Sequence, residues 1–387
     1  MALRVLVSAG EASGDLYASA LVTRWRGEQP GAEFFGCAGP RMRAAGVEAV
    51  VRSESLAVVG LVEVLHHIPR IYGEYRKLIR AARERRPDVA ILTDSPDFHL
   101  RVAARLHREG IPVIYLVAPQ VWAWRPGRIR ILKETLRHLL CIFPFEERFF
   151  EERGIAATYI GHPLARMVEA SVSRSEFFER HAIRPGERLV ALLAGSRAGE
   201  VRRHMEPLAC AVAEIRRRFP ECRFVAGTPP GFADSLKDSS FWERFRGESI
   251  QIIEGQTWDL LAHADVALAA SGTVTIEAAL LGTPMVTFYR VSGLSWVLGR
   301  RLVRVPFLSM VNLVAERAVV PELIQGDLEP GRLAEETVRL LNDDAARAKM
   351  RNELGEVRAA LTVPEHPMDR AVRVIEKVLD KETVNAR

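Results

Sequence analysis

The sequence predicts an α/β fold made of two Rossmann-like domains, whose parallel sheets face a central cleft, followed by a helical tail. Three observations support this prediction. Short apolar segments alternate with longer helical patterns, these segments divide into two similar halves, and the chain reads as helices after about Pro330. Strands separated by helices imply right-handed βαβ crossovers and therefore parallel sheets. A chain of 387 residues is also too long for one compact core.

The predicted domains are residues 1–164 and 165–360, with the helical tail at 361–387. Each half contains five strand candidates. They are residues 4–8, 33–37, 89–93, 113–117 and 138–143 in the first half, and 189–194, 223–226, 250–253, 266–269 and 285–288 in the second. We expect the linker in residues 161–164 and the charged, turn-rich stretch that extends to residue 187.

The composition is that of a soluble globular protein, with 48% hydrophobic and 27% charged residues. A net charge of +5 argues against a dedicated nucleic-acid binder, while local basic patches can still face phosphates or anionic lipid. Four scattered cysteines predict buried thiols in a reducing compartment, and their spacing supports no metal site. The chain starts directly with a strand-like segment, and no apolar stretch approaches the ~20 residues of a membrane span. We expect a cytoplasmic protein without a signal peptide.

The segment from residue 266 to 290 is the most informative part of the sequence. An apolar strand ends in Ser271-Gly272-Thr273, a helical pattern follows, and Gly282 stops it. A turn of small residues before a helix directs backbone N–H groups at an anion. Glu277, one turn into the helix, has a suitable length for binding the two hydroxyl groups of a ribose. The pattern predicts a nucleoside diphosphate site, although small-residue turns also occur in α/β proteins without one.

A second turn of this kind is Gly195-Ser196-Arg197, which follows the strand candidate at 189–194. Arg197 supplies the cation that a diphosphate leaving group requires. The presence of two such turns makes the second domain the predicted nucleotide side.

In the first domain, the first strand candidate ends in the sequence GEASGD at residues 10–15. This is not G-x-G-x-x-G, so a dinucleotide cofactor is poorly supported. The loop offers Glu11, Ser13 and Asp15 at the mouth of the first sheet. In the alternative interpretation, Ser13 and Asp15 cap the first helix.

Two carboxylates, Asp94 and Asp97, follow the strand candidate at 89–93 around a proline. Carboxylates at a strand end are candidates for a general base, because partial burial raises a pKa toward neutrality. Asp97 lies beyond the proline and is the favoured base, with Asp94 as its orienting partner. In the alternatives, one of the two caps the next helix, or His99 is the base.

Aromatic and basic residues follow the strand candidate at 113–117. Trp122, Trp124 and Arg125, with Arg128 and Arg130 behind them, can line an acceptor that has a flat sugar face and an anionic group. The tryptophans can equally fill the core beneath the loop.

Two stretches combine apolar and basic residues. The first contains Val58, Val59, Leu61, Val62 and Leu65 and leads into a helix rich in arginine; the second spans residues 290–304. Apolar residues flanked by Lys and Arg can lie in a lipid interface, or they can be core-facing helices with solvated basic faces.

The sequence resembles the lipid A disaccharide synthases, a family of glycosyltransferases of the two-Rossmann-domain (GT-B) type. The matching motifs cover almost the whole chain in the right order. They are AGEASGD at 9–15, GCAGPRM at 36–42, VGLVEVL at 59–65, DSPDF at 94–98, WAWR at 122–125, PFE at 144–146, IGHP at 160–163, GSR at 195–197, SGTVTIE at 271–277, PMVTFYR at 284–290 and PELIQ at 321–325.

The resemblance implies transfer from UDP-2,3-diacylglucosamine to 2,3-diacylglucosamine 1-phosphate (lipid X) through a β-1,6 linkage, with inversion and without a metal or other cofactor. It places the catalytic aspartate at Asp97, with Glu11 and Ser13 in the first-domain motif. It assigns Arg197 to the phosphate turn, and Ser271, Thr273, Glu277, Asn312 and Gln325 to the donor site. It also implies a homodimer with exchanged C-terminal segments, bound peripherally to the inner face of the inner membrane through the first apolar stretch.

The chain departs from the family pattern at Ala194, where proline is usual, and in the segment 310–313 around Asn312. Two other classes remain as alternatives. One is a GT-B enzyme with a soluble substrate, such as a UDP-sugar 2-epimerase or a peptidoglycan-type transferase. The other is a non-enzymatic nucleotide-binding or membrane-scaffolding protein.

Overall fold

A computed structural model describes residues 2–56, 61–123, 126–232, 243, 245, 247–293, 296 and 305–385, and gives side-chain surroundings for these residues except 61–67 and 381–385. The described chain forms two compact units. The first consists of Met1–Pro163 with Leu361–Arg387, and the second of Leu164–Ala360.

The first unit is built on a seven-stranded parallel sheet of order β3-β2-β1-β4-β5-β6-β7. Its strands are β1 (Arg4–Ala9), β2 (Glu33–Ala38), β3 (Glu48–Arg52), β4 (Val89–Thr93), β5 (Val113–Leu116), β6 (His138–Cys141) and β7 (Ala157–Tyr159). Every residue of the central strand β4 is buried. The continuous apolar run in the sequence follows from this position, because helices cover both faces of a parallel sheet.

Within the described part of this unit, six α-helices connect the strands of the sheet. They are α1 (Ala12–Glu28), α2 (Pro40–Ala44), α3 (Leu61–Arg85), α4 (Pro96–Arg108), α5 (Arg128–Thr135) and α6 (Pro144–Glu151). An apolar core cluster of this unit lies between the sheet and α3, α4 and α5, and includes Leu78, Leu92, Val102 and Leu132.

The second unit contains a six-stranded parallel sheet of order β10-β9-β8-β11-β12-β13. Its strands are β8 (Arg188–Leu193), β9 (Cys222–Thr228), β10 (Gln251–Glu254), β11 (Val266–Ala270), β12 (Met285–Tyr289) and β13 (Glu322–Ile324). Its helices are α7 (Arg174–Arg180), α8 (Ala198–Arg218), α9 (Thr257–His263), α10 (Thr273–Leu281), α11 (Met310–Ala315), α12 (Pro330–Asn342) and α13 (Asp344–Leu361).

The last helix, α14 (Pro367–Asn385), returns to the first unit and packs on α1. Gln29 donates a 2.6 Å hydrogen bond to Glu376, and Arg24 lies 3.6 Å from Asp369. The segment that we expected as a helical tail therefore belongs to the first compact unit.

The structure confirms all ten predicted strands and the parallel sheets, and it adds three edge strands, β3, β7 and β13. The prediction of a linker up to residue 187 was wrong. Helix α7 lies inside that stretch because Phe177 is fully buried and Ser173 caps the helix by accepting a hydrogen bond from the Glu176 N–H.

Among the described residues, no helix is both long enough and apolar enough to cross a membrane. Cys37, Cys141 and Cys222 are buried free thiols, as expected, whereas Cys210 is only partly buried.

Candidate active site

The carboxyl ends of β1 and β4 lie side by side in the first sheet, because the two strands pair in parallel with Ala9 opposite Thr93. The chain order reverses around β1, whose neighbours are β2 on one side and β4 on the other. In open α/β sheets, ligands bind outside the carboxyl ends of the strands at such a switch point. The sequence places the GEASGD loop after β1 and the DSPDF turn after β4 at this position.

Asp94 joins these two loops. Its carboxylate accepts hydrogen bonds from the backbone N–H groups of Gly10 (2.8 Å) and Glu11 (3.0 Å). Burial raises its pKa to about 7, although the two N–H groups oppose this shift by stabilising the charged form. Asp94 and Ser95 both have left-handed backbone conformations, with φ of +52° and +36°. Such conformations are strained in non-glycine residues and cluster at functional sites.

His99 contacts the backbone of the same turn. It is fully buried, and its Nδ1 lies 3.0 Å from the carbonyl oxygen of Asp94. Because a carbonyl only accepts, Nδ1 carries the proton, and Nε2 accepts from the Ser8 hydroxyl at 2.7 Å. Burial lowers the pKa of His99 to about 4, so the ring is neutral. Both ring nitrogens therefore form hydrogen bonds inside the protein.

Asp97 is placed differently from Asp94. It lies in the first turn of α4, its side chain is 70% exposed, and it forms an ion pair with Arg128 of α5, which is 15% exposed. The structure does not pair Asp97 with Asp94, whose carboxylate is directed to the β1 loop. Of the two aspartates, Asp97 is thus the accessible one.

The alternative interpretation, in which Ser13 and Asp15 cap the first helix, was wrong. Helix α1 begins at Ala12 after Glu11, and no side-chain hydrogen bond caps it. Asp15 instead accepts hydrogen bonds from the backbone N–H groups of Arg41 (2.9 Å) and Met42 (3.0 Å) at the start of α2. Glu11 is exposed and Ser13 is partly buried, next to the Asp94 contacts.

Trp122 is partly buried against the apolar cluster, and its indole N–H donates to Glu146 at 3.0 Å. Glu146 is buried and also accepts from the backbone N–H groups of Ile142 and Phe143 at the start of α6. Burial raises the pKa of Glu146 to about 7. Trp124 and Arg125 lie outside the described residues.

In the second unit, the two predicted anion-binding turns are neighbours. Strands β8 and β11 pair in parallel with Leu193 opposite Ala269, so the turns that follow them meet at the switch point of this sheet. Gly195 has a φ of +122°, and α8 begins at Ala198 directly after Arg197. Helix α10 begins at Thr273 after Gly272. Ser196, Arg197, Gly272 and Thr273 are all exposed.

Arg197 donates to Glu200 at 3.2 Å, and the hydroxyl of Tyr289 donates to the same carboxylate oxygen at 3.1 Å. Glu277 is partly buried, which raises its pKa, while a hydrogen bond from the side chain of Trp258 opposes this shift. The electrostatics of this edge combine the two helix N-termini with the Arg197 guanidinium, an arrangement that favours a polyanion.

The side chains of three further predicted donor-site residues form hydrogen bonds with other residues of the protein. The Ser271 hydroxyl donates to the carbonyl of Leu308 (3.0 Å). The Asn312 amide accepts from the N–H groups of Val319 and Val320 and donates to the Val320 carbonyl and to Glu322. The Gln325 amide exchanges two 3.0 Å hydrogen bonds with the backbone of Val291. These residues shape the loops around the turns.

The predicted membrane stretch is described in part. Val58 and Val59 lie outside the described residues, and Leu61, Val62 and Leu65 lie in α3, where their side-chain surroundings are not described. Farther along α3, Ile68 and Tyr72 are exposed large apolar side chains, at 49% and 59%. Most of the second stretch, residues 294–295 and 297–304, is outside the described residues.

Sequence reasoning missed two buried side chains at these edges, Glu146 and His204. A signal for Glu146 was present, because a glutamate two residues after Pro144 stands at the third position of the helix, where it can reach back to the preceding N–H groups. No sequence motif marks His204, whose partners Ala194 and Arg290 lie 10 and 86 residues away. Among the described residues, no three His, Cys, Asp or Glu side chains converge as a metal site.

Two Rossmann-like units, the second with small-residue turns at its switch point, are the architecture of the GT-B class of nucleotide-sugar enzymes. The fold is similar to that of a UDP-GlcNAc 2-epimerase from Neisseria meningitidis bound to UDP-GlcNAc (TM-score 0.65, 12% identity, 98% of this chain and 100% of that one). It is also similar to the glycotransferase of kitacinnamycin (TM-score 0.63, 16% identity, 97% and 98%). At these identities the likeness shows the fold alone.

Sequence comparison identifies the family. The model of the lipid-A-disaccharide synthetase family matches residues 5–373, and the chain belongs to this family. A lipid-A-disaccharide synthase of Solibacter usitatus is 56% identical over 97% of this chain and 98% of its own length. One of Anaeromyxobacter dehalogenans is 42% identical over 97% of each chain.

Proposed function

We propose that this protein transfers the sugar of UDP-2,3-diacylglucosamine to the 6-hydroxyl of 2,3-diacylglucosamine 1-phosphate, releasing UDP and the β-1,6-linked lipid A disaccharide 1-phosphate. The observation that carries the proposal is the 56% identity, over 97% of the chain, to a relative named as a lipid-A-disaccharide synthase. The two anion-binding turns of the second unit and the exposed Asp97 of the first supply the groups that this chemistry requires.

The donor binds to the second unit. The N-termini of α8 and α10 and the Arg197 guanidinium hold the diphosphate, with Ser196, Gly272 and Thr273 around it. Glu277 binds the ribose hydroxyls. Ser271, Asn312 and Gln325 keep the neighbouring loops in place through the hydrogen bonds described above. As the bond between the anomeric carbon and the diphosphate breaks, the same positive groups stabilise the negative charge on the departing UDP.

The acceptor binds to the first unit, where Asp97 is the general base. Its carboxylate takes the proton of the acceptor hydroxyl while the oxygen attacks the anomeric carbon from the face opposite the diphosphate, which inverts the configuration. The ion pair with Arg128 orients the carboxylate. Glu11 and Ser13 face the same edge, and Trp124 and Arg125 bind the acceptor sugar and its anionic group.

Asp94 is a weaker candidate for the base, despite its raised pKa. The Gly10 and Glu11 N–H groups donate to its two oxygens, Oδ1 and Oδ2. Its side chain is also only 12% exposed, whereas that of Asp97 is 70% exposed. A general base must come within hydrogen-bond reach of the proton that it removes. Asp94 therefore supports the loop, and Asp97 carries the chemistry.

We further propose that the start of α3 binds the membrane surface, so that acyl chains remain in the lipid while the sugars reach the enzyme. Ile68 and Tyr72 continue the apolar stretch of Val58, Val59, Leu61, Val62 and Leu65 along the helix. Basic residues follow on the same helix, a composition that suits an anionic lipid interface. In the cell this corresponds to peripheral binding at the inner face of the inner membrane. The homodimer implied by the family resemblance is a separate prediction, which sedimentation equilibrium tests.

A mixed-micelle assay of the purified protein tests the proposal. With UDP-2,3-diacylglucosamine and lipid X we expect stoichiometric UDP and disaccharide. Omission of lipid X is the control, because a transferase then releases no UDP above the hydrolysis background. Epimerisation of UDP-GlcNAc without disaccharide formation, while a lipid-competent reference enzyme is active in the same micelles, would contradict the proposal.

A further inference from the structure

His204, in the second turn of α8, lies fully buried beneath the Gly195–Arg197 turn. Its Nδ1 is 2.7 Å from the carbonyl oxygen of Ala194, the residue that precedes the turn. Its Nε2 is 3.0 Å from the backbone N of Arg290, the residue that follows β12. One imidazole ring thus joins the ends of two strands that are separated by β11 in the sheet.

These two contacts fix the protonation state of the ring. The Ala194 carbonyl only accepts, so Nδ1 must carry a proton, and the Arg290 N–H only donates, so Nε2 must present a lone pair. Only the neutral Nδ1–H tautomer satisfies both partners. Burial lowers the pKa of His204 in the same direction, with Arg203 adding to the shift and Glu200 and the Ala194 and Arg290 backbone opposing it.

The strand end that His204 holds is connected to the diphosphate turn by side chains as well. Arg203 donates to the Arg290 carbonyl at 3.1 Å, and Tyr289 donates to Glu200, the partner of Arg197. The His204 ring also packs against the rings of Phe288 and Tyr289, with centroids 5.2 and 5.6 Å away. A shift of the β12 end therefore moves the carboxylate that orients Arg197.

We infer that His204 is a positioning residue for the donor diphosphate, holding the Gly195–Arg197 turn and the end of β12 in one arrangement through its neutral imidazole. The inference rests on the proposed donor site in the second unit. His204 does not touch the substrate, because it is fully buried and both of its nitrogens are occupied by backbone groups. Its effect is exerted through Arg197 and the turn.

Three substitutions separate the two hydrogen bonds. His204→Asn places an amide nitrogen near the Nδ1 position and keeps the bond to Ala194. His204→Gln places an amide oxygen near the Nε2 position and keeps the bond from Arg290. His204→Phe keeps a ring of similar shape and removes both bonds. The matched control is His263→Phe, which removes a 2.9 Å hydrogen bond to the Val172 carbonyl at the amino edge of the same sheet.

Calorimetric titration of UDP into the full-length variants measures the effect without reference to turnover. We expect His204→Phe to raise the Kd for UDP at least about tenfold, because both bonds that hold the Gly195–Arg197 turn and the end of β12 in the binding arrangement are lost. We expect His204→Gln and His204→Asn to raise it less, and His263→Phe to leave it within about twofold. In the transfer assay, the KM for the UDP-sugar should rise while the KM for the acceptor stays unchanged.

The outcomes distinguish the inference from the proposed function. A wild-type protein that binds UDP but forms no disaccharide contradicts the proposed function alone, and the UDP titrations still test His204. A UDP Kd within about twofold of wild type in all three His204 variants, or an equal rise in His263→Phe, overturns the inference. If His204→Phe does not fold, the comparison rests on the Gln and Asn variants, which each retain one bond.

Discussion

Asp94 and Gly10 are joined by a 2.8 Å hydrogen bond from the Gly10 N–H to the Asp94 carboxylate, which links the loops after β4 and β1. The space around this carboxylate is closely filled. A Cβ atom added to Gly14, in the first turn of α1, would lie 1.6 Å from Asp94 Oδ2. The glycine of the GEASGD motif at position 14 therefore has a packing function, because it lets the helix approach the carboxylate.

We predict that Gly14→Ala destabilises the protein even though alanine is the better helix former. The methyl group would displace the Asp94 carboxylate and break its two backbone hydrogen bonds. We expect the free energy of unfolding to fall by roughly 2 kcal/mol or more, measured by urea denaturation. Gly27→Ala is the control in the same helix, because a Cβ there meets nothing within 4 Å. That variant should be neutral or more stable by up to about 1 kcal/mol, and equal effects at both positions would refute the packing argument.

The buried Glu146 predicts a stability that falls with rising pH. Its pKa is raised from 4.5 to about 7 in the folded protein, so the unfolded chain ionises first and binds fewer protons between these values. As the pH rises from about 4.5 to 7, the free energy of unfolding therefore falls, and Glu146 accounts for on the order of 3 kcal/mol of this loss. Asp94, with a pKa of about 7, acts in the same direction.

The neutral variant Glu146→Gln isolates the contribution of Glu146. Glutamine does not ionise. We therefore expect the free energy of unfolding of the wild type to fall relative to that of the variant as the pH rises from 5 to 8, measured by urea denaturation at each pH. Parallel pH profiles for the two proteins would show that Glu146 does not titrate in this range.

Asn312 has a structural role that Asn312→Ala should reveal. Its side-chain amide oxygen accepts hydrogen bonds from the backbone N–H groups of Val319 and Val320, and both valines are buried. Without these partners we expect a loss of about 2–4 kcal/mol in unfolding free energy. The exposed Asn342→Ala should change it by less than about 0.5 kcal/mol. An Asn312 variant of normal stability that no longer binds UDP would instead show that the side chain contacts the donor directly.

The exposed apolar side chains of α3 test the proposed membrane surface. We predict that Ile68→Glu and Tyr72→Glu each weaken binding to vesicles containing anionic phospholipid by at least about fivefold, with the thermal midpoint unchanged. Ala359→Glu, at an exposed position of α13, introduces the same charge elsewhere and should bind as wild type does. Vesicle sedimentation measures all three, and equal binding by every variant would place the membrane contact elsewhere.

The fold was predictable because the ten predicted strands are largely apolar and separated by helical patterns. The missed strands β3, β7 and β13 have three to five residues and lie at or near sheet edges, where half-exposed residues interrupt the apolar run. Helix α7 was hidden in a charged stretch, since only tertiary packing shows that Phe177 is buried. Short elements depend on contacts that local periodicity does not record.

The candidate site was predictable at its turns and less so at its side chains. Small residues after strands indicated the two neighbouring turns before α8 and α10, because this signal is local in sequence. The partners of Asp15 and Asp94 lie 26 and 84 residues away, at Arg41 and Gly10, so their roles as backbone acceptors required the sheet order. The sequence favoured Asp97 as the base, but the contacts of Asp94 with the β1 loop and the 70% exposure of the Asp97 side chain became visible only in the structure.

The most direct test of the central claim compares wild type with Asp97→Asn in the mixed-micelle transfer assay, with Asp94→Asn alongside. If Asp97 is the base, Asp97→Asn lowers kcat by about 10²–10⁴-fold, while UDP affinity and the thermal midpoint remain those of wild type. Asp94→Asn should lower the thermal midpoint, because an amide replaces one of the two acceptor oxygens, and retain more activity than Asp97→Asn. Disaccharide formation by Asp97→Asn at a rate close to that of wild type would contradict the assignment of Asp97 as the base.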